Sequence, residues 1–177
     1  MEARCETLTA ASSSPLVPFG SLEAVWFQIG GTICNLRCHH CFISCAPDND
    51  KFGFMSLADC RPHFDQAVAL GAGEFYFTGG EPFANPEAVE ILEAALERRP
   101  STVLTNAMLI SEAKIDRLAV AIDHTGHPLE WRVSLDGPDA ATNDPIRGPG
   151  VFDRTVDGIR RLVDHGFRPI VTITRTW

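Results

Sequence analysis

Five short runs rich in branched and aromatic residues, at 25–29 (VWFQI), 74–78 (EFYFT), 101–105 (STVLT), 130–135 (EWRVSL) and 168–174 (RPIVTIT), are separated by stretches with a helical period. This alternation constrains the fold more than any other feature. Strands that each hand over to a helix before the next strand pair in parallel through crossovers, which predicts an α/β barrel or a doubly wound sheet. The clearest helix is 151–165, where Phe152, Val156, Ile159 and Val163 recur on one face and Gly166 supplies the stop. A second opens on Asn85-Pro86-Glu87, a cap, a first-turn proline and an acid, and buries Val89, Leu92 and Leu96. Ser111 begins a third. A further helix between Ser56 and Leu70 must take Pro62 in its first turn or bend at it, and ends at Gly71. Residues 1–20, rich in Ser, Ala and Pro, read as a mobile tail, and 21–177 as one domain.

Charge and hydropathy exclude several classes. With 15 basic against 23 acidic side chains, net −8, the chain offers no basic face for a phosphate backbone, so nucleic acid is not an expected partner. No segment approaches the roughly 18 apolar residues of a membrane span, and the N-terminus lacks a signal-peptide pattern, so a cytoplasmic location is expected. In that reducing compartment clustered cysteines are metal ligands or catalytic thiols rather than disulfides.

In α/β folds of this kind ligands sit beyond the C-terminal ends of the strands. After the first run comes Cys34-Asn-Leu-Arg-Cys38-His-His-Cys41. The second is followed by Thr78-Gly79-Gly80-Glu81-Pro82 and the third by Asn106, while the fourth ends in Ser134-Leu135-Asp136-Gly137-Pro138. Three thiolates on one loop can wrap three corners of a cubane cluster, whereas zinc normally takes four protein ligands, often as two separated pairs. Cys45 leaves a four-cysteine cluster open as an alternative, and His39-His40 a zinc site. Cys5 and Cys60 stand apart.

The segment CNLRCHHC fits the C-x3-C-x2-C pattern of the radical S-adenosylmethionine (radical SAM) superfamily, and TGGEP and SLDGP fall at that family's second and fourth strand ends. The chain resembles this family over about residues 22–175, in particular the branch that modifies peptides, proteins or small metabolites and often carries a C-terminal SPASM or Twitch domain with further clusters. The resemblance implies a partial (β/α)6 barrel with about five β/α units in this chain. It implies a [4Fe-4S] cluster on Cys34, Cys38 and Cys41, with the remaining iron open to the amine and carboxylate of S-adenosylmethionine. Such an open position is what a catalytic metal keeps and a structural one does not. Reductive cleavage of the cofactor would give a 5′-deoxyadenosyl radical that takes a hydrogen atom from a peptide or small-molecule substrate. The electron would come from a donor such as flavodoxin or ferredoxin. The resemblance further places Gly79 and Gly80 at the methionyl ammonium with Glu81 as a carboxylate partner. Ser134 falls at the methionyl or ribose part, Arg147 at the methionyl carboxylate, and the backbone of His40 beside the adenine. Asp136 is expected to hold its turn.

No cysteine follows Cys60 and no sixth strand follows the fifth run. The barrel is therefore expected to be incomplete within this chain, with a second chain as one way of completing it, and the chain alone is expected to self-associate along its open edge. A non-catalytic iron–sulfur or zinc module using Cys45 as fourth ligand is the alternative reading.

Overall fold

A computed structural model describes residues 20–174; the expected N-terminal tail and Cys5 lie outside the described residues, apart from Gly20. Along the chain come β1 (Ala24–Phe27), α1 (Leu57–Ala69), β2 (Glu74–Phe77), a 3-10 turn (Pro82–Ala84), α2 (Ala88–Leu96), β3 (Ser101–Thr105), α3 (Glu112–Thr125), β4 (Leu129–Ser134), α4 (Ala140–Arg147), α5 (Val151–Asp164) and β5 (Ile170–Thr172). All neighbouring strands are parallel and their order in the sheet is their order in the chain. A doubly wound sheet needs a reversal of strand order, so the sequential order decides for a partial barrel.

The period of two along the strands sorts side chains between the two faces. Phe27, Phe75 and Phe77 point to the helical layer and meet Phe64 of α1 in a ring cluster, with Phe27 edge-on to Phe64 at 4.7 Å. Trp26 and Tyr76, directly paired across β1 and β2, stack at 4.4 Å on the opposite face. Strand ends lie within one or two residues of the sequence expectation, except that β5 is only three residues long. Pro169 cannot donate to the ladder, which delays its start.

The helices show why local signals misplace boundaries. Ser56 caps α1 in a capping box with Asp59, as a Ser before a helical run should, while Pro62 lies beyond the first turn. Asn85 does not cap α2. Its amide is drawn inward to donate to the Ile29 and Met55 carbonyls at 3.0 and 2.8 Å, its Oδ1 accepts from the Glu87 N–H, and α2 starts only at Ala88. The NDPIRGPG stretch is mostly helix: Asp139 caps α4 by accepting from the Thr142 N–H, and Pro145 removes one backbone bond without ending the turn. The Asp144 carboxylate then accepts from the Gly150 and Phe152 N–H groups and joins α4 to α5.

The buried face of α5 is one residue away from the face the apolar period indicated. Val151, Thr155, Gly158 and Leu162 are buried, and Val163 is 53% exposed. Close approach is the reason. A Cβ on Gly158 would lie 2.2 Å from the Ala107 carbonyl oxygen, and the Thr155 hydroxyl donates to the Asn106 carbonyl at 3.1 Å. The helix meets the loop after β3 through its smallest side chains. Gly158→Ala should therefore cost about 1–3 kcal/mol of unfolding free energy, and Val163→Ala less than about 0.5 kcal/mol, as read by urea denaturation. The reverse ranking would show that the apolar stripe faces the core.

Candidate metal and cofactor site

The loop after β1 is built on backbone bonds rather than regular structure. Ile33 forms a parallel bridge with Ala46, Cys34 N–H donates to the Ala46 carbonyl, and Thr32 N–H to that of Phe52, folding residues 30–53 back over the strand ends. The second loop locks into it. Gly80 N–H donates to the Gly31 carbonyl at 2.9 Å and Glu81 N–H to that of Ile33 at 3.0 Å. This contact is close enough to require glycine: a Cβ on Gly80 would stand 2.1 Å from the Ile33 oxygen, and one on Gly79, whose φ is +143°, 2.5 Å from the Gly30 backbone. The freedom of Gly79 and Gly80 is spent on joining the two loops.

Glu81 is 1% exposed, and its carboxylate is turned into the protein. It accepts from the Phe83 N–H at 3.1 Å, the Thr105 hydroxyl at 2.7 Å and the Asn106 N–H at 2.8 Å, tying the β2 and β3 loops together. Burial raises its pKa from the ordinary 4.5, against the pull of these donors and of Lys114. A raised carboxylate means that the folded state holds the proton more tightly than the unfolded one, so this group's contribution is full below about pH 4.5 and is lost as pH rises through the folded value. The stability difference between the parent and Glu81→Gln should accordingly shift in favour of the variant as pH rises above 4.5, measured by urea denaturation. A difference moving the other way would mean that the hydrogen bonds outweigh burial.

Cys34, Cys38 and Cys41 line one cavity of about 590 Å³ at the C-terminal ends of the strands, and Cys45 lines it too. Gly79, Gly80 and Glu81 form another part of the wall, with His40, Ser134 and Arg147. Every residue that the resemblance assigns to the cluster or the cofactor thus borders a single space. Two cysteine sulfurs accept backbone hydrogen bonds, Cys34 Sγ from the Leu36 N–H at 3.4 Å and Cys41 Sγ from the Cys45 N–H at 3.2 Å. Burial pushes the Cys34 thiol up to about 12 and that of Cys45 to about 11, and raises Cys38 as well, there opposed by the Arg147 charge. Such thiols lose their protons at neutral pH only to a bound cationic centre. Among the described residues no three His, Cys, Asp or Glu side chains converge on one ion, as zinc would need. Three sulfurs around one cavity, two already receiving N–H donors, instead fit a cluster whose corners are separated.

Several residues of the site carry little signal in the sequence. Asn35, inside the cysteine motif, accepts from the Asn106 side chain at 2.8 Å, and Met108 N–H donates to Asn106 Oδ1 at 3.1 Å, which bridges the cysteine loop to the end of β3. Trp26 reaches the cavity from β1, Gln28 from just beyond it and Thr174 from beyond β5. Asp136 does more than shape a turn. Its side chain is fully buried, and Oδ2 lies 2.8 Å from His40 Nε2 and 2.7 Å from Arg147 Nε. A second cavity of about 330 Å³, between β1 and α1, is walled by mostly apolar residues such as Leu22, Val25 and Met55, with His63 its one titratable group. It holds no comparable chemistry.

Among the described residues no helix is long and apolar enough to cross a membrane. Over residues 29–176 the chain matches the family model described as Radical SAM superfamily. It is 33% identical over 146 residues to the mycofactocin maturase MftC of Mycobacterium tuberculosis, covering 80% of this chain and 36% of that protein. To the AdoMet-dependent heme synthase of Methanosarcina barkeri it is 30% identical over 146 residues, covering 80% and 40%. The chain thus spans two fifths or less of the length of these relatives. Among solved structures, Streptococcus suis SuiB bound to S-adenosylmethionine superposes with a TM-score of 0.71 at 24% identity, over 86% of this chain and 34% of that one. Its five parallel strands alternating with helices are those of the partial barrel in this structural neighbour. The chain belongs to the radical SAM superfamily.

Proposed function

We propose that this chain is the core of an enzyme that binds a [4Fe-4S] cluster through Cys34, Cys38 and Cys41 and S-adenosylmethionine beside it, and acts on a peptide or small molecule. The observation that carries this reading is the convergence of the three cysteines, Gly79-Gly80, Ser134 and Arg147 on one cavity at the strand ends. When bound, the cluster and cofactor would supply one-electron reductive cleavage of a carbon–sulfur bond and hydrogen-atom abstraction from substrate.

The chain's own residues bind and orient. The Gly79-Gly80 backbone would hold the methionyl ammonium, and Glu81 acts through the loop it braces. Ser134 would hold the methionyl or ribose part, and the His40 backbone the adenine. Arg147, 8% exposed, would offer its guanidinium to the methionyl carboxylate. The walls limit water around the reacting bond. A precursor peptide was bound in a SuiB structure, which supports a peptide as substrate. An electron donor of the flavodoxin or ferredoxin type would serve from a reducing cytoplasm. The exposed Ile170 and Val171 on the open edge of β5 support pairing there with further chain, either downstream or from a second subunit.

One observation favours a second reading, in which Cys45 completes a closed four-cysteine cluster: it is buried and lines the same cavity. Its backbone N–H, however, is already a donor to Cys41 Sγ, the part of a supporting residue. Anaerobic reconstitution with iron and sulfide, followed by electron paramagnetic resonance of the reduced protein with and without S-adenosylmethionine, separates the two. A spectrum changed by the cofactor, with 5′-deoxyadenosine formed under dithionite, is expected. A cluster whose spectrum is indifferent to saturating cofactor would establish the closed site instead.

A further inference from the structure

Asp136 stands where three separate segments meet. Oδ2 approaches His40 of the cysteine loop and Arg147 of α4, and Oδ1 accepts from the Thr174 N–H at 2.9 Å beyond β5. Its own N–H donates to Asn143 Oδ1 at 2.9 Å, and Asn143 is wholly buried. A second strap runs parallel to the first, from the His39 N–H to the Ile146 carbonyl at 2.9 Å. Neither Nε2 of His40 nor Nε of Arg147 points its hydrogen squarely at the oxygen, so these are electrostatic close contacts more than aligned hydrogen bonds.

Burial makes this arrangement decisive. A carboxylate removed from water needs a charged or donating partner, and here the permanent one is Arg147. The pairing occupies Nε alone. The two outer nitrogens of the guanidinium, a fork suited to a carboxylate, have no protein hydrogen-bond partner among the described residues, and Arg147 borders the cavity beside Cys38. The same oxygen that orients this fork also holds His40, which sits between Cys38 and Cys41.

We propose that Asp136 is a positioning residue that couples the cysteine loop to the Arg147 fork, fixing Cys38–Cys41 and the carboxylate-binding guanidinium relative to each other. The part that concerns Arg147 rests on the cofactor reading above; the part that concerns the loop does not. Losing the negative charge frees both partners. The fork then turns away from the cavity, and the loop loses one of its two ties to α4.

Two measurements test this on the full chain. In the apoprotein, hydrogen exchange at the amides of residues 38–41 should accelerate roughly tenfold or more in Asp136→Asn and in Asp136→Ala, the effect of one charge-assisted contact. Asp139→Ala, which removes only the α4 cap, should leave those amides unchanged. In the reconstituted protein, Asp136→Asn should keep its iron but raise the S-adenosylmethionine dissociation constant roughly tenfold. The loss should nearly vanish in an Arg147→Ala background, because a residue acting through another has nothing to add once that partner is gone. Unchanged exchange in Asp136→Asn would overturn the loop tie even if the parent binds no cofactor. Equal and additive losses in the two backgrounds would overturn the coupling to Arg147. A parent that takes up a cluster but no S-adenosylmethionine would instead remove the cofactor reading, with the exchange result still deciding the loop tie.

Discussion

Replacing Cys34, Cys38 or Cys41 singly by Ala is expected to abolish the reconstituted cluster, whereas Cys45→Ala is expected to retain it. Two thiolates cannot hold a cubane that already lacks one protein ligand, and the three sulfurs border a single cavity. Cys45 is close enough to serve, but its amide supports Cys41 Sγ and that bond survives truncation of its side chain. Iron and sulfide analysis with the visible band near the cluster's absorption is the measurement. Loss of iron in Cys45→Ala as complete as in Cys38→Ala would turn the site into a closed four-cysteine centre.

Gly80→Ala should damage the site nearly as severely without touching a ligand. The added methyl would fall 2.1 Å from the Ile33 oxygen, 2.4 Å from its carbonyl carbon and 2.9 Å from the Cys34 nitrogen. All three are backbone atoms, so no rotamer change relieves the clash. The two loops must separate, which breaks the bonds from Gly80 and Glu81 to the Gly31 and Ile33 carbonyls. A cost of about 1–3 kcal/mol or more is expected, together with impaired iron uptake, because the displaced segment carries Cys34. Thermal unfolding and iron content of the same preparation test the link. A variant of normal stability and full iron content would show that the loops are not locked through this position, whereas Gly53→Ala, where nothing lies within 4 Å, serves as the neutral control.

Much of the fold was legible because it depends on local periods. Runs such as EFYFT and STVLT are strands by composition, and helices between them force parallel pairing, so the α/β class follows from alternation alone. The cysteine spacing and the residues after each strand could be found for the same reason, since a strand end is a position in the sequence as well as in space. Which sheet the strands would make was not written locally: barrel or doubly wound depends on whether strand order reverses, and only the assembled sheet runs 1 to 5 without a switch.

The remaining features were decided by contacts between distant segments. Hydrophobic periodicity counts large apolar residues, so it chose Val163 over Gly158 on α5. The helix in fact comes closest where its side chains are smallest, against the Ala107 backbone. Asn85 and Glu81 read as a cap and a ligand in sequence, yet both spend their polar atoms bridging loops that lie 20 or more residues away. Asp136 belongs to the same class. A lone acid in a turn is ambiguous until folding buries it between His40 and Arg147, because the need to compensate a desolvated charge exists only in the tertiary structure. The sequence by itself therefore determined the chemistry available at each strand end, through residue type and local spacing. Which of those groups face the cavity and which hold its walls was decided only by tertiary packing, since burial and partner choice are properties of the assembled chain.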